Sequence, residues 1–166
     1  GEALCHQSGV PFTIVRPHNI YGPRMGMSHV IPELFRKAYE ARPGSSIEIA
    51  SSHHRRAFCY IEDAVELIVR CAEEDSCKNR TLNIGNDDCE LSIKELALSI
   101  FKILKKDLTV IEGKETPGSP VRRCPDMQKT TRLTGYIPRI DLNRGLEFTW
   151  NWYRENVFLE GGACAQ

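Results

Sequence analysis

The chain has 166 residues, of which 41% are apolar, enough for one core of ordinary domain size and too many for a disordered chain. Lys and Arg number 22, as do Asp and Glu, which argues against a surface built to capture nucleic acid or an anionic membrane. The longest apolar runs, such as 67–69, fall far short of the ~20 residues of a membrane span, and no basic stretch leading into an apolar segment opens the chain, so a cytoplasmic protein is expected.

Seven cysteines, Cys5, Cys59, Cys71, Cys77, Cys89, Cys124 and Cys164, are scattered without any C-x-x-C pair. That spacing suits reduced thiols rather than a disulfide framework or a zinc site. The opening Gly1-Glu2-Ala3-Leu4-Cys5 reads as the middle of a helix with no start signal, so the chain is expected to lack an upstream half.

Residues 10–15 form a β-branched apolar run, suited to a strand buried on both faces of a parallel sheet. With the other strands of that sheet absent, its edge should drive self-association. After a turn-rich stretch at 19–26, a helical stripe runs through Val30, Ile31, Leu34, Phe35 and Ala38, capped by Ser28, with Pro32 in the first turn and Arg42-Pro43-Gly44 as its stop. Residues 47–50 and 57–60 read as short extended pieces around a polar 51–56. The next helix should start at Asp63, form a capping box with Glu66, and bury Ala64, Val65, Ile68 and Ala72.

Residues 81–84 read as a strand ended by Gly85, and a capping box of Ser92 and Glu95 opens a helix burying Ile93, Leu96, Ala97, Ile100 and Leu104. A short strand at 108–111 precedes a Pro- and Gly-rich surface loop at 113–125. A short helix at 127–133 is closed by Gly135, and Asp141 caps a last helix with Leu142, Leu146, Thr149 and Tyr153 inward. Residues 161–166 are expected to fray. Strands alternating with helices imply an α/β layer structure without internal repeats.

Chemistry concentrates at Arg16-Pro17-His18-Asn19-Ile20-Tyr21-Gly22-Pro23-Arg24, directly after a buried strand, where open α/β sheets place their ligands. Either its Arg, His and Asn donate to phosphate or sugar oxygens, or it is a turn whose Asn tolerates an unusual backbone and whose Tyr packs. Arg55 and Arg56, with Arg122 and Arg123 far along the chain, would suit a diphosphate if they converge, since a guanidinium grips phosphate through two parallel hydrogen bonds; alternatively they are solvated surface charge. No metal site is expected: on a strand, adjacent His53 and His54 would point to opposite faces, and no acid stands at ligand spacing. No Gly-x-Ser-x-Gly is present, and the cysteines have no evident base partner.

The 16–24 segment resembles the R-P-x-N-x-Y-G-P-R loop of the extended short-chain dehydrogenase/reductases, the NAD-dependent nucleotide-sugar epimerase and dehydratase family. Arg56-Ala57-Phe58-Cys59-Tyr60-Ile61-Glu62-Asp63 is similar to its R-x-F-x-Y-V-x-D segment and Asn83-Ile84-Gly85 to its N-x-G. Arg123-Cys124-Pro125-Asp126, with Gly135-Tyr136-Ile137-Pro138 and Gly145-Leu146, resembles its closing region. The family's Gly-rich dinucleotide loop and Tyr-x-x-x-Lys are absent from the chain.

The resemblance implies the C-terminal part of a Rossmann-type fold with the smaller substrate-binding lobe: residues 1–27 end the dinucleotide-binding domain, 28–160 are mostly substrate-binding lobe with residual Rossmann elements, and 161–166 are tail. It implies that Asn19 binds a nucleotide-sugar diphosphate, that Arg56 and Arg123 clamp its phosphates or ribose, and that Pro17 and His18 lie beside the nicotinamide ring. Residues 28–31, and so His29, Val30 and Ile31, would line the base pocket. Relatives usually carry an aromatic residue and Gly where Ile49-Ala50-Ser51 stand here, which leaves the base open.

By this reading the intact enzyme is an epimerase, dehydratase or decarboxylase working through transient hydride transfer, with NAD or NADP held mainly by the missing half. Relatives are often dimers, which leaves a full-length homodimer open. This chain alone would be inactive, and the alternative reading is a non-catalytic nucleotide-diphosphate-binding module or partner subunit.

Overall fold

The computed structural model describes residues 2–159, so the expected frayed tail lies outside the described residues. In chain order the elements are α1 (Glu2–Ser8), β1 (Thr13–Pro17), β2 (Ile20–Tyr21), α2 (Val30–Glu40), β3 (Ser46–Ile49), β4 (Arg55–Ala57) and β5 (Cys59–Tyr60). There follow α3 (Ile61–Glu73), β6 (Arg80–Ile84), β7 (Glu90–Ser92), α4 (Ile93–Ile103), β8 (Thr109–Glu112), β9 (Arg122–Arg123), α5 (Gln128–Thr134) and α6 (Leu142–Tyr153).

β1 pairs with β6, β2 with β5 and β3 with β8, all parallel, while β4 lies between antiparallel β7 and parallel β9. Parallel pairing needs long crossovers, and the helices supply them, giving the α/β architecture expected from the alternating elements. One buried cluster gathers α2, α4 and α6 around β2, β3 and β5. The other joins α3 and β6 to Met127 and Tyr136, with Val15 and Ile20 packed against it.

Several local expectations need correction. The first strand begins at Thr13 rather than Val10, and instead of being buried on both faces it is half-buried at Thr13, Ile14 and Val15 and exposed at Arg16 and Pro17. β1 has one strand partner, β6, among the described residues. The N-cap of α2 is His29, without a side-chain cap bond, rather than Ser28. The end of the expected 113–125 loop is ordered instead: Arg122 and Arg123 form the exposed strand β9, and Pro125 is buried.

The largest correction concerns α3, which starts two residues early, with Tyr60 as N-cap, and turns Asp63, Ala64, Leu67 and Cys71 inward. Val65 and Ile68, expected inside, are 50% and 38% exposed, and Ala72 is exposed too. The reason is polar. Asp63 accepts the Tyr136 hydroxyl (2.7 Å) and the backbone N–H groups of Arg139 and Ile140 (3.0 Å each), and this carboxylate, not the most apolar stripe, sets the helix's rotation. Glu66 serves no capping box and accepts instead from Arg70 Nε at 2.6 Å.

Other signals hold. Ser92 and Glu95 form a reciprocal capping box, Asp141 accepts from the Arg144 N–H at 3.0 Å, and Gly135 closes α5 at φ 65°. Leu104 is only half-buried, at the C-cap of α4.

Gly145 marks a close approach. A Cβ there would meet Tyr21 Oη, with Tyr21 Cζ at 2.8 Å and Tyr60 Cδ2 at 3.0 Å, and Tyr21 is 2% exposed and donates to Leu142 O at 3.3 Å. Gly145→Ala should gain up to about 1 kcal/mol of helix propensity and lose roughly 2–3 kcal/mol or more to overpacking. Urea unfolding should show a net loss of about 1–2 kcal/mol.

Candidate functional site

β4 and β9 run side by side in parallel register, with Arg55 opposite Arg122 and Arg56 opposite Arg123. Successive strand residues face opposite sides, and the four arginines therefore divide into two pairs. The Arg55 and Arg122 pair is neutralised: Arg122 Nε and Nη2 donate to the Glu90 carboxylate at 2.7 Å each, and Arg55 Nε lies 3.5 Å from Glu90 and Nη1 3.6 Å from Glu95. The Arg122 hydrogen bonds, reinforced by Arg55, hold the Glu90 carboxyl below its ordinary pKa.

No carboxylate of the described residues pairs with Arg56 or Arg123. Among the described residues Arg56 donates only to neutral oxygens, Ser119 Oγ (2.8 Å), Arg55 O (2.7 Å) and Val121 O (3.4 Å). Burial of its guanidinium, and then the charge of Arg123, lower its pKa from the ordinary value. Two adjacent cations without a counter-charge are an arrangement that a bound polyanion would relieve.

Beside them lies a cavity of about 290 Å³ whose walls include Asn19, Ser28, Val30, His54 and Arg56. Asn19 sits in the left-handed region at φ 42°, and its Nδ2 donates to Ala57 O at 2.8 Å, which ties the loop after β1 to β4. The structure thus brings Asn19, Val30 and Arg56 onto one cavity and sets Arg123 next to Arg56. The other expected site residues lie elsewhere. His29 is exposed at the start of α2, and Ile31, 0% exposed, is part of the core. Neither side chain is part of the cavity wall.

Pro17 and His18 are at the carboxyl ends of β1 and β6 and do not line this cavity. The His18 N–H donates to Ile84 O at 2.8 Å, and its Nε2 is 3.3 Å from Asn83 Oδ1.

Sequence reasoning missed the cavity's other wall, Thr116 and Ser119 of the 113–120 loop and the buried His54. The Thr116 N–H donates to Ser51 Oγ at 2.8 Å, and Ser51 has φ 50°. No periodic signal marks such a loop; a small polar residue in a left-handed turn is its only trace. The strand geometry assumed for His53 and His54 also fails. Both belong to a tight turn closed by the His54 N–H bonding to Ser51 O at 2.9 Å, and their rings meet edge to face with centroids 4.8 Å apart.

The six described cysteines are free thiols. Burial pushes Cys59 up to about 12, with Asp63 adding to it, and burial and then Cys77 push Cys71 up to about 11. At about pH 8 a thiol of pKa 11 is roughly 0.1% thiolate, against roughly a quarter for an ordinary one. Alkylation followed by mass spectrometry should find Cys71 and Cys59 at least a hundredfold slower than a free thiol in the unfolded chain.

The sequence pattern of the NAD dependent epimerase/dehydratase family matches residues 1–85. UDP-glucuronic acid decarboxylase 6 of Arabidopsis thaliana is 32% identical over 143 residues, covering 84% of this chain and 40% of that protein. UDP-N-acetyl-alpha-D-glucosaminuronate decarboxylase of Bacillus cytotoxicus is 30% identical over 166 residues, covering 93% and 50%. Among solved structures, UDP-glucuronic acid 4-epimerase of Bacillus cereus, in complex with UDP-glucuronic acid and NAD, superposes with a TM-score of 0.80 at 27% identity, covering 93% of this chain and 50% of that one.

The chain spans about half the length of the curated relatives it matches, and its parallel α/β layers are part of their Rossmann-type fold. Motifs, fold and sequence pattern agree, and the chain belongs to the NAD dependent epimerase/dehydratase family.

Proposed function

We propose that this chain is the carboxyl-terminal, substrate-gripping portion of an NAD-dependent epimerase, dehydratase or decarboxylase acting on a nucleotide-diphosphate sugar through transient hydride transfer. The observation that carries this reading is the register of Arg56 on Arg123, without an acidic partner among the described residues, beside the cavity that Asn19 lines. Those two guanidiniums hold the diphosphate, and Ser28 and Val30 lie along the nucleoside. Binding energy gathered at the phosphates, remote from the reacting carbon, positions the sugar.

Residues 1–27 finish a dinucleotide-binding domain in this reading, and 28–160 are mostly substrate lobe with residual Rossmann elements. The cluster that mixes Val15 and Ile20 with α3 and β6 supports that interleaving. The Pro17 ring, the His18 imidazole and the Asn83 amide, at the ends of parallel β1 and β6, fit one face of a nicotinamide ring. NAD, held mainly by the other half of such an enzyme, supplies a hydride acceptor when bound.

The test is calorimetric titration of the chain with UDP, TDP and GDP, and with uridine. Diphosphates should bind and uridine should bind far more weakly; a folded chain that binds no diphosphate would refute the reading.

A further inference from the structure

A cluster at the cavity rim has no part in that reading. His53 and His54 come from the turn after β3, and Glu115 comes from the loop after β8. Two bonds dock that loop against the turn: the Gly113 N–H donates to Ile49 O at 2.9 Å and the Thr116 N–H to Ser51 Oγ at 2.8 Å. One nitrogen of each ring and one Glu115 oxygen lie within 4.8 Å of one another.

The surroundings orient these groups as a ligand set. His53 Nε2 is 3.6 Å from Glu115 Oε1, while its Nδ1 is 3.3 Å from Glu112 Oε1. A carboxylate on the far nitrogen is the usual outer partner of a metal-bound imidazole, fixing its tautomer and raising its basicity. His54 is 2% exposed, and its Nδ1 lies 3.5 Å from Ser119 Oγ, so its ring is held by the same loop. The two glutamates balance a divalent charge.

We propose that His53, His54 and Glu115 form a binding site for one divalent transition-metal ion of the Zn²⁺ class. Two imidazoles and a carboxylate match borderline ions, whereas Ca²⁺ and Mg²⁺ want oxygen ligands throughout. Tetrahedral Zn²⁺, with metal–ligand distances near ~2.0–2.2 Å, would draw the three donor atoms closer together, a movement within reach of exposed His53 and Glu115, whose side chains are 45% and 73% exposed. Three protein ligands leave a fourth coordination position for water or another small ligand. The site does not depend on the diphosphate reading, and it stands or falls separately.

Zn²⁺ competition against a chromophoric chelator, together with Co²⁺ absorption spectra, tests it on the full chain. One equivalent should bind, and His53→Ala and Glu115→Gln should each weaken it by at least about tenfold while circular dichroism stays unchanged. The Co²⁺ spectrum should lack the near-ultraviolet thiolate band that any of the seven cysteines would produce as ligand. No stoichiometric binding would leave His53 as a hydrogen-bonding link between Glu112 and Glu115 and would overturn the proposal. Unchanged affinity in either variant, or a thiolate band, would overturn it equally.

Discussion

Asp63→Ala should lower the unfolding free energy by about 3–5 kcal/mol, measured by urea denaturation near neutral pH. The carboxylate is 2% exposed and accepts three donors, the Tyr136 hydroxyl and two backbone N–H groups. Each donor stranded without a partner costs about 1–3 kcal/mol. A shallow groove between α3 and residues 136–140 admits some water, which places the sum toward the lower end. Burial and then the Asp63 hydrogen bond push the Tyr136 hydroxyl up to about 12, so at neutral pH it remains a donor.

Asp63→Asn keeps one acceptor oxygen and turns an amide N–H₂ toward donors, and it should lose about half as much. Tyr136→Phe removes one donor only and should cost about 1 kcal/mol. Combined with Asp63→Ala, its effect should be less than additive, because the two changes delete one shared bond. A loss below 1 kcal/mol for Asp63→Ala would mean that the carboxylate does not organise this corner.

Removing the arginine pair should have the largest effect on ligand binding. Arg56→Ala and Arg123→Ala should each weaken UDP by about ten- to a hundredfold, the range of one charge-assisted contact. The double variant should lose less than the product, since both contact one diphosphate. Arg122→Ala is the internal control. Its guanidinium is committed to Glu90, and it should change UDP affinity little. Weak uridine binding should be the same in every variant, because these guanidiniums meet phosphate and not base. Added salt should weaken UDP more in the parent than in the double variant. Loss of UDP affinity in Arg122→Ala equal to that in Arg123→Ala would indicate general surface charge rather than a built pair.

What could be read from the chain was whatever is local. Capping chemistry located α4 and α6, Gly135 closed α5, and the apolar stripe of α2 named its core residues, because caps, left-handed glycines and 3.6-residue periodicity depend on neighbours within one or two turns. The rotation of α3 escaped the same reasoning: its stripe of Val65 and Ile68 was the more apolar, but the buried bonds of Asp63 come from residues 136–140.

The site divides along the same line. Asn19, Arg56 and Arg123 were marked by motif, yet Ile31 had been placed in the pocket and lies in the core, and Thr116, Ser119 and His54 were overlooked. Adjacent residues such as Arg55 and Arg56 look alike in a sequence; only β-pairing with Arg122 and Arg123 puts Glu90 on one pair and leaves the other unneutralised. By itself the sequence determined the α/β class, the family and the motifs that single out Asn19, Arg56 and Arg123 as candidates, because these rest on short-range patterns. Tertiary structure decided which charges are free, which face of α3 is inside and which loop closes the cavity, because each of those depends on partners some 30 to 80 residues away.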